Sequence, residues 1–287
     1  MRSALAVACC VLCLAGAVQA ADPADTEALV VPRVGLPSAD LLARGQISGA
    51  YAFRWADHEG RELQAHQFGV AYGITDRLEL SYDHHDIGID GRTAGNTFDV
   101  NADGFQLRYG QPILKAPGAL FVQYRMGDGQ VVRGGAVRIP PDSEAITFGA
   151  VRSNEWGGDN ALHLLASATR SEVGSEAAWT LMGGAGVDYP LTRDLTAVAD
   201  LALFKEAGDV SSFEAGLSGG VRYQRNGFHA DLAGTFLPSG TPLAGSALGD
   251  ASVFVLDPVF ANEPIVRDFQ NDSLGFVSLR VGYTTTW

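Results

Sequence analysis

The densest group of titratable side chains in this 287-residue chain is Asp83-His84-His85-Asp86. Imidazole and carboxylate together suit a divalent metal or proton exchange near neutral pH. Neighbouring side chains of an extended segment, however, point to opposite faces. Asp83 and His85 then share one face and His84 takes the other, so the two histidines cannot converge on one ion. The cluster reads as a polar rim patch, and no metal site is assigned.

Acyl or phosphoryl hydrolysis requires a nucleophile within about 3 Å of its base. His163 and Ser167 share a face but lie about 13 Å apart along an extended chain. His229 and Asp231 share a face at about 7 Å, also beyond direct proton exchange. Partners on neighbouring strands are invisible to such spacing. Gly183-Gly184-Ala185-Gly186 lacks the lysine and helix of a phosphate loop, so its small residues belong to a strand. No catalytic residue and no cofactor is expected.

A wider set of charges is spaced through otherwise apolar segments: Arg54, Glu79, Asp83, Arg108, Arg125, Asp200, Glu214, Arg222, Asp231 and Arg280. The elements that place them alternate with a period of two, the signature of strands. Ile47, Gly49, Tyr51, Phe53 and Trp55 set the pattern. It continues through Phe68–Val70–Tyr72–Ile74, Leu78–Leu80–Tyr82, Phe105–Leu107–Tyr109 and Leu120–Val122–Tyr124–Met126. A weaker segment follows at Ile146–Phe148–Ala150, then Leu162–Ala168, Trp179–Tyr189, Leu195–Leu203, Phe213–Tyr223, Phe228–Phe236 and Val277–Trp287. The reading gives about 12 strands and no useful helical stripe after Leu42.

Alternation alone also fits a soluble sandwich. Strands of roughly 10–14 residues exceed the usual ~5–6 and match the ~9–11 needed to cross a bilayer at a tilt. Aromatic residues crowd strand ends, as in interfacial girdles. Short connections near Thr75–Arg77, 111–118, 190–194 and 224–227 oppose long ones at 86–98, 127–143 and 238–272. Short turns at one rim and long loops at the other characterise outer-membrane barrels. The expected fold is therefore all-β: a transmembrane antiparallel up-and-down barrel over residues 45–287, with the charged set facing its lumen.

The first 20 residues read as a cleaved secretory signal peptide. Met1-Arg2-Ser3 is followed by an apolar run and then by Val18-Gln19-Ala20. Cys9, Cys10 and Cys13, all the cysteines of the chain, fall within it, so no disulfide framework is expected afterwards. Residues 21–44 then form an N-terminal periplasmic or plug segment. Lys+Arg number 20 against 33 Asp+Glu, a net charge of -13, which argues against nucleic acid as a partner.

The ending Val277-Ser278-Leu279-Arg280-Val281-Gly282-Tyr283-Thr284-Thr285-Thr286-Trp287 resembles the C-terminal signal of bacterial outer-membrane barrels, with Trp where Phe is commoner. The run from Gly69 to Tyr82 resembles a hairpin of uncharacterised proteobacterial outer-membrane proteins. The resemblance implies a Gram-negative outer-membrane location. It also implies that Leu279, Val281, Tyr283 and Trp287 are read by the barrel-assembly machinery.

Twelve strands lie between side-chain-filled barrels of eight and open pores of 16–18. The expected activity is a narrow, porin-like channel for small solutes, or an envelope barrel of another kind, without enzyme chemistry. The alternatives are an outer-membrane enzyme using rim or lumenal His and carboxylates, and a structural or adhesive barrel. The lumenal arginines form either a ladder for anions or ion pairs with Glu79, Asp83, Asp200, Glu214 and Asp231; charges in narrow barrels favour pairing. Expected partners are outer-membrane lipid and lipopolysaccharide, bridged by divalent cations to the acidic loops. Val253-Phe254-Val255-Leu256 is expected to fold inward as a constriction.

Overall fold

The computed structural model describes residues 38–58, 61–90, 97–133, 135–138, 143–157, 159–173, 176–206, 214–237 and 274–287. Its strands are β1 Gln46–His58, β2 Arg61–Thr75, β3 Leu78–Asp90, β4 Thr97–Gly110, β5 Gly118–Arg133, β6 Ala136–Arg138 and β7 Ser143–Glu155. They continue as β8 Ala161–Val173, β9 Glu176–Pro190, β10 Leu195–Glu206, β11 Glu214–Arg225, β12 Phe228–Leu237 and β13 Leu274–Thr286. Each long strand pairs antiparallel with its sequence neighbours, and β1 closes on β13 from Gln46↔Thr286 to Trp55↔Val277. The result is a closed barrel of 12 strands, with β6 a short return strand on β5.

Closure leaves no unpaired edge, the condition for crossing lipid with strands. β1 begins and β13 ends at the same rim, here called the terminal rim. Two-residue connections lie there at 76–77 and 226–227, and at the opposite rim between β1 and β2 and between β8 and β9. Asn226 and Gly227 join β11 to β12 with φ of 51° and 80°, the positive values that a two-residue hairpin turn requires.

Side-chain polarity is inside-out through most of the wall. Tyr72, Leu80, Leu107, Leu120, Leu164, Leu181, Leu201, Leu217, Leu232 and Leu279 face outward, while the inward positions between them carry polar and small residues. On β2–β5 the apolar belt stops partway. Beyond Phe68, Tyr82, Phe105 and Met126 the outward residues become His66, Gln64 and Glu62; His84 and Asp86; Asp103, Asn101 and Asp99; and Asp128 and Gln130. Inward, the same stretch is apolar, with Leu63, Ile87, Ile89, Phe98 and Val100 all buried.

Aromatic side chains mark the crossover. The Tyr51 hydroxyl lies 2.6 Å from His66 Nδ1, the Trp55 indole N–H donates to Glu62 at 2.7 Å, and the Tyr82 hydroxyl donates to Asp103 at 2.5 Å. Rings in the belt with polar tips above it are what a lipid–water interface selects.

This crossover corrects two expected loops. Residues 86–90 complete β3 and residues 97–98 open β4, so the loop expected at 86–98 reduces to 91–96. Likewise β5 runs through Gly127 to Arg133, and β6 occupies part of the expected 127–143 loop. The alternation persists past the belt with its sense reversed, polar out and apolar in, so a search for apolar-out strands stops too early. Asp86, Asp90 and Asp128 therefore belong to strands. The expected loop at 238–272, with Val253–Leu256, lies outside the described residues.

Candidate functional site: the barrel interior

At the terminal rim, residues 38–44 turn into the barrel mouth before β1 begins. Leu42 is 0% exposed, and Ser38 and Ala39 are buried. The segment is tied by its backbone. The Leu42 N–H donates to Glu79 Oε2 at 2.8 Å, and the Ala39 N–H donates to Ser153 Oγ at 2.8 Å. Arg108 Nη2 donates to the Ser38 carbonyl at 2.6 Å. Glu79 and Arg108, opposite one another on β3 and β4, also pair at 3.0 Å.

The middle of the lumen is a column of paired charge. Arg125 Nη2 meets Asp83 Oδ1 at 2.8 Å, and His85 Nε2 meets the same oxygen at 2.5 Å. Arg54 directs both terminal nitrogens at Gln67 Oε1, at 3.2 and 3.1 Å. Arg222 Nε donates to Asp231 Oδ1 at 2.8 Å, and Arg280 lies opposite Asp231 in the β12–β13 register. Asp200 accepts from Ser218 at 3.2 Å. Glu214 opens β11 opposite Phe204, and its side chain lies outside the described residues.

Among the described inward residues, Arg54, Arg108, Arg125, Arg222 and Arg280 stand beside Glu79, Asp83, Asp188, Asp200 and Asp231. Arg108, Arg125 and Arg222 each meet a carboxylate, whereas Arg54 meets the neutral Gln67.

The Asp83–Asp86 cluster, expected as a rim patch, lies midway along β3, where alternation separates its members. Asp83 and His85 point inward, whereas His84 points outward to Asp103 at 2.9 Å. Among the described residues no three His, Cys, Asp or Glu side chains are placed to hold a metal ion.

Strand pairing brings together one group that linear spacing did not. Ser153 on β7 faces His163 on β8, with Oγ 2.7 Å from Nδ1. His163 Nε2 lies 3.6 Å from Asp188 Oδ2 on β9. The residues stand in Ser–His–Asp order, with the serine–histidine contact short and the histidine–aspartate one long. The His–Asp separation exceeds a hydrogen bond, and Ser153 Oγ already receives the Ala39 N–H. Asp188 also lies 3.8 Å from Arg222, linking the group to the charge column.

Towards the opposite rim the lumen turns apolar. Phe98 (0% exposed), Phe204 (1%), Leu63, Ile87, Ile89, Ala202 and Phe276 belong to one packed cluster drawn from β2, β3, β4, β10 and β13. The same cluster continues past the charge column to Ala39, Ala119, Val151 and Leu165 beside the 38–44 segment. Of the expected assembly residues, Leu279 and Val281 face the belt, and Tyr283 continues the same outward alternation. Trp287 is 95% exposed just past β13, its N–H bonded to the Gly45 carbonyl at 2.8 Å.

This architecture is shared with solved outer-membrane proteins. An outer-membrane channel of Pseudomonas putida F1 is 11% identical with a TM-score of 0.51, over 92% of this chain and 100% of that one. The translocator domain of the autotransporter NalP from Neisseria meningitidis is 10% identical at TM-score 0.51, over 87% and 91%. The β domain of the Bordetella autotransporter BrkA is 12% identical at TM-score 0.50, over 85% and 99%. No protein-family model and no curated protein matches the chain. At these identities the likeness is one of fold. That fold, with the inside-out wall and its aromatic crossover, makes the chain an outer-membrane β-barrel.

Proposed function

We propose that this barrel is a narrow channel for small solutes, closed in the conformation described above and without an enzymatic step. The observation that carries the reading is the charge column. Replacing buried ion pairs by apolar packing is often neutral or stabilising, so a barrel serving only as an anchor has little reason to retain one. A polar atom within it also calls for water: among the described residues the buried His85 Nδ1 has no hydrogen-bond partner. Buried polar groups of this kind are normally satisfied by ordered water. On this reading the terminal rim faces the periplasm, since the longest connection, 238–273, leaves from the opposite rim.

Because the column is balanced, we expect weak selectivity by charge. Purified protein in planar bilayers should give discrete current steps with a cation-to-anion permeability ratio near one. A strong preference for either sign contradicts the balanced interior. Absence of steps from protein that remains folded rejects the channel and favours a structural or adhesive barrel.

The proposed partners are lipopolysaccharide at the acidic outward face of β2–β5 and the barrel-assembly machinery at β13. Deleting Trp287 should lower the folded, membrane-inserted fraction severalfold, read by the gel shift between unboiled and boiled samples. Unchanged levels remove Trp287 from assembly.

A further inference from the structure

We infer that residues 38–44 are a displaceable strap that gates the periplasmic mouth of the lumen; this rests on the channel reading above. The strap has a seat cut into the wall. A Cβ at Gly73 on β2 would stand 2.0 Å from the Ala43 carbonyl oxygen and 2.6 Å from that of Leu42. A Cβ at Gly110 on β4 would stand 3.3 Å from Leu41 Cδ1. The first of these approaches excludes any residue but glycine while the strap is seated.

The fastening is polar and local. Five backbone groups of the strap bond to side chains outside it: three to Glu79, Arg108 and Ser153 of β3, β4 and β7, and the N–H groups of Ala43 and Arg44, at its base, to Gln46 and Asp76. Glu79 and Arg108 keep each other as partners when the strap leaves, and Ser153 keeps His163. Release therefore strands no buried charge, whose isolation would be the large penalty. Net hydrogen bonds of this kind contribute only modestly because water replaces them.

The apolar contacts are those of Leu41 and Ala39 with the cluster that includes Ala119, Val151 and Leu165, together with the fully buried Leu42. A pivot stands at the base of the strap. Gly45 has φ of 80° and is pinned on both sides, its N–H to the Gly73 carbonyl and its carbonyl to the Trp287 N–H. The strap can swing while β1 stays in register.

The test uses the full-length protein in planar bilayers. One variant replaces residues 38–44 by a Gly/Ser segment of equal length. A second, Glu79→Gln, weakens one fastening. A third, Leu41→Cys with Gly110→Cys, links the strap to its seat on oxidation, all native cysteines lying at positions 9, 10 and 13. The first two should spend severalfold more time open than wild type, at similar step size. The oxidised pair should fall nearly silent and recover on reduction.

Equal open fractions in wild type, the Gly/Ser variant and the oxidised pair overturn the strap while leaving the channel intact. Absence of current from every variant, including reduced protein that remains folded, rejects the channel reading and the strap with it.

Discussion

Leu107→Arg should destabilise the barrel by roughly 2–4 kcal/mol, the cost of a cation at mid-belt on a lipid-facing strand. Asn101→Arg should be nearly silent. Both side chains lie on the outward face of β4, about 20 Å apart along the strand, and both belong to the same antiparallel ladder with β3 and β5. The difference lies in their surroundings. Leu107 is flanked across strands by Leu80 and Val122, both apolar, whereas Asn101 is flanked by Asp86 and Asp128. Lipid covers the first position; headgroups and water reach the second, where an arginine even gains two carboxylate neighbours. Urea titration in phospholipid vesicles, followed by the unboiled gel shift, measures both. Equal losses would mean that the aromatic crossover at Tyr51, Trp55 and Tyr82 does not mark the lipid boundary, and that β2–β5 are immersed along their whole length.

The same crossover explains what the sequence could and could not convey. Ile47 to Trp55 and Trp179 to Tyr189 were legible because apolar residues on alternate positions admit only a strand with one greasy face. The hairpin at Asn226-Gly227 was legible because the turn needs positive φ at both residues. The extensions through Ile87–Asp90 and Thr97–Val100 were not legible in the same way. Their alternation is equally regular, but its sense depends on which solvent bathes the outer face, and that is fixed by height along the barrel. Contacts between strands were harder still. His163 belongs with Ser153 because of the β7–β8 register, ten residues away through a turn, and not with Ser167 on its own strand. The seating of residues 38–44 depends on Glu79, Arg108 and Ser153, which converge only when the barrel closes.

Phe98→Ala together with Phe204→Ala should enlarge each current step by about twofold or more, since apolar constrictions throttle conduction by shedding water. Both rings are essentially unexposed, and they reach the apolar layer from β4 and β10. Truncating each should also cost about 3–5 kcal/mol in stability, the usual toll for emptying an aromatic site in a packed core, so folded protein must be confirmed by gel shift before recording. The apolar layer and the strap lie in series along one path and should affect different observables. The layer sets the narrowest radius of the open path, hence the step size. The strap sets how often the path is open. Combining the two phenylalanine truncations with Glu79→Gln should therefore give large steps and long openings together, each close to its value in the separate variants. Steps of unchanged size in the truncated protein would place the limiting constriction elsewhere, in the charge column or in the 38–44 segment itself. A change in open time without a change in step size would reassign the phenylalanines from the conducting path to the stability of the wall.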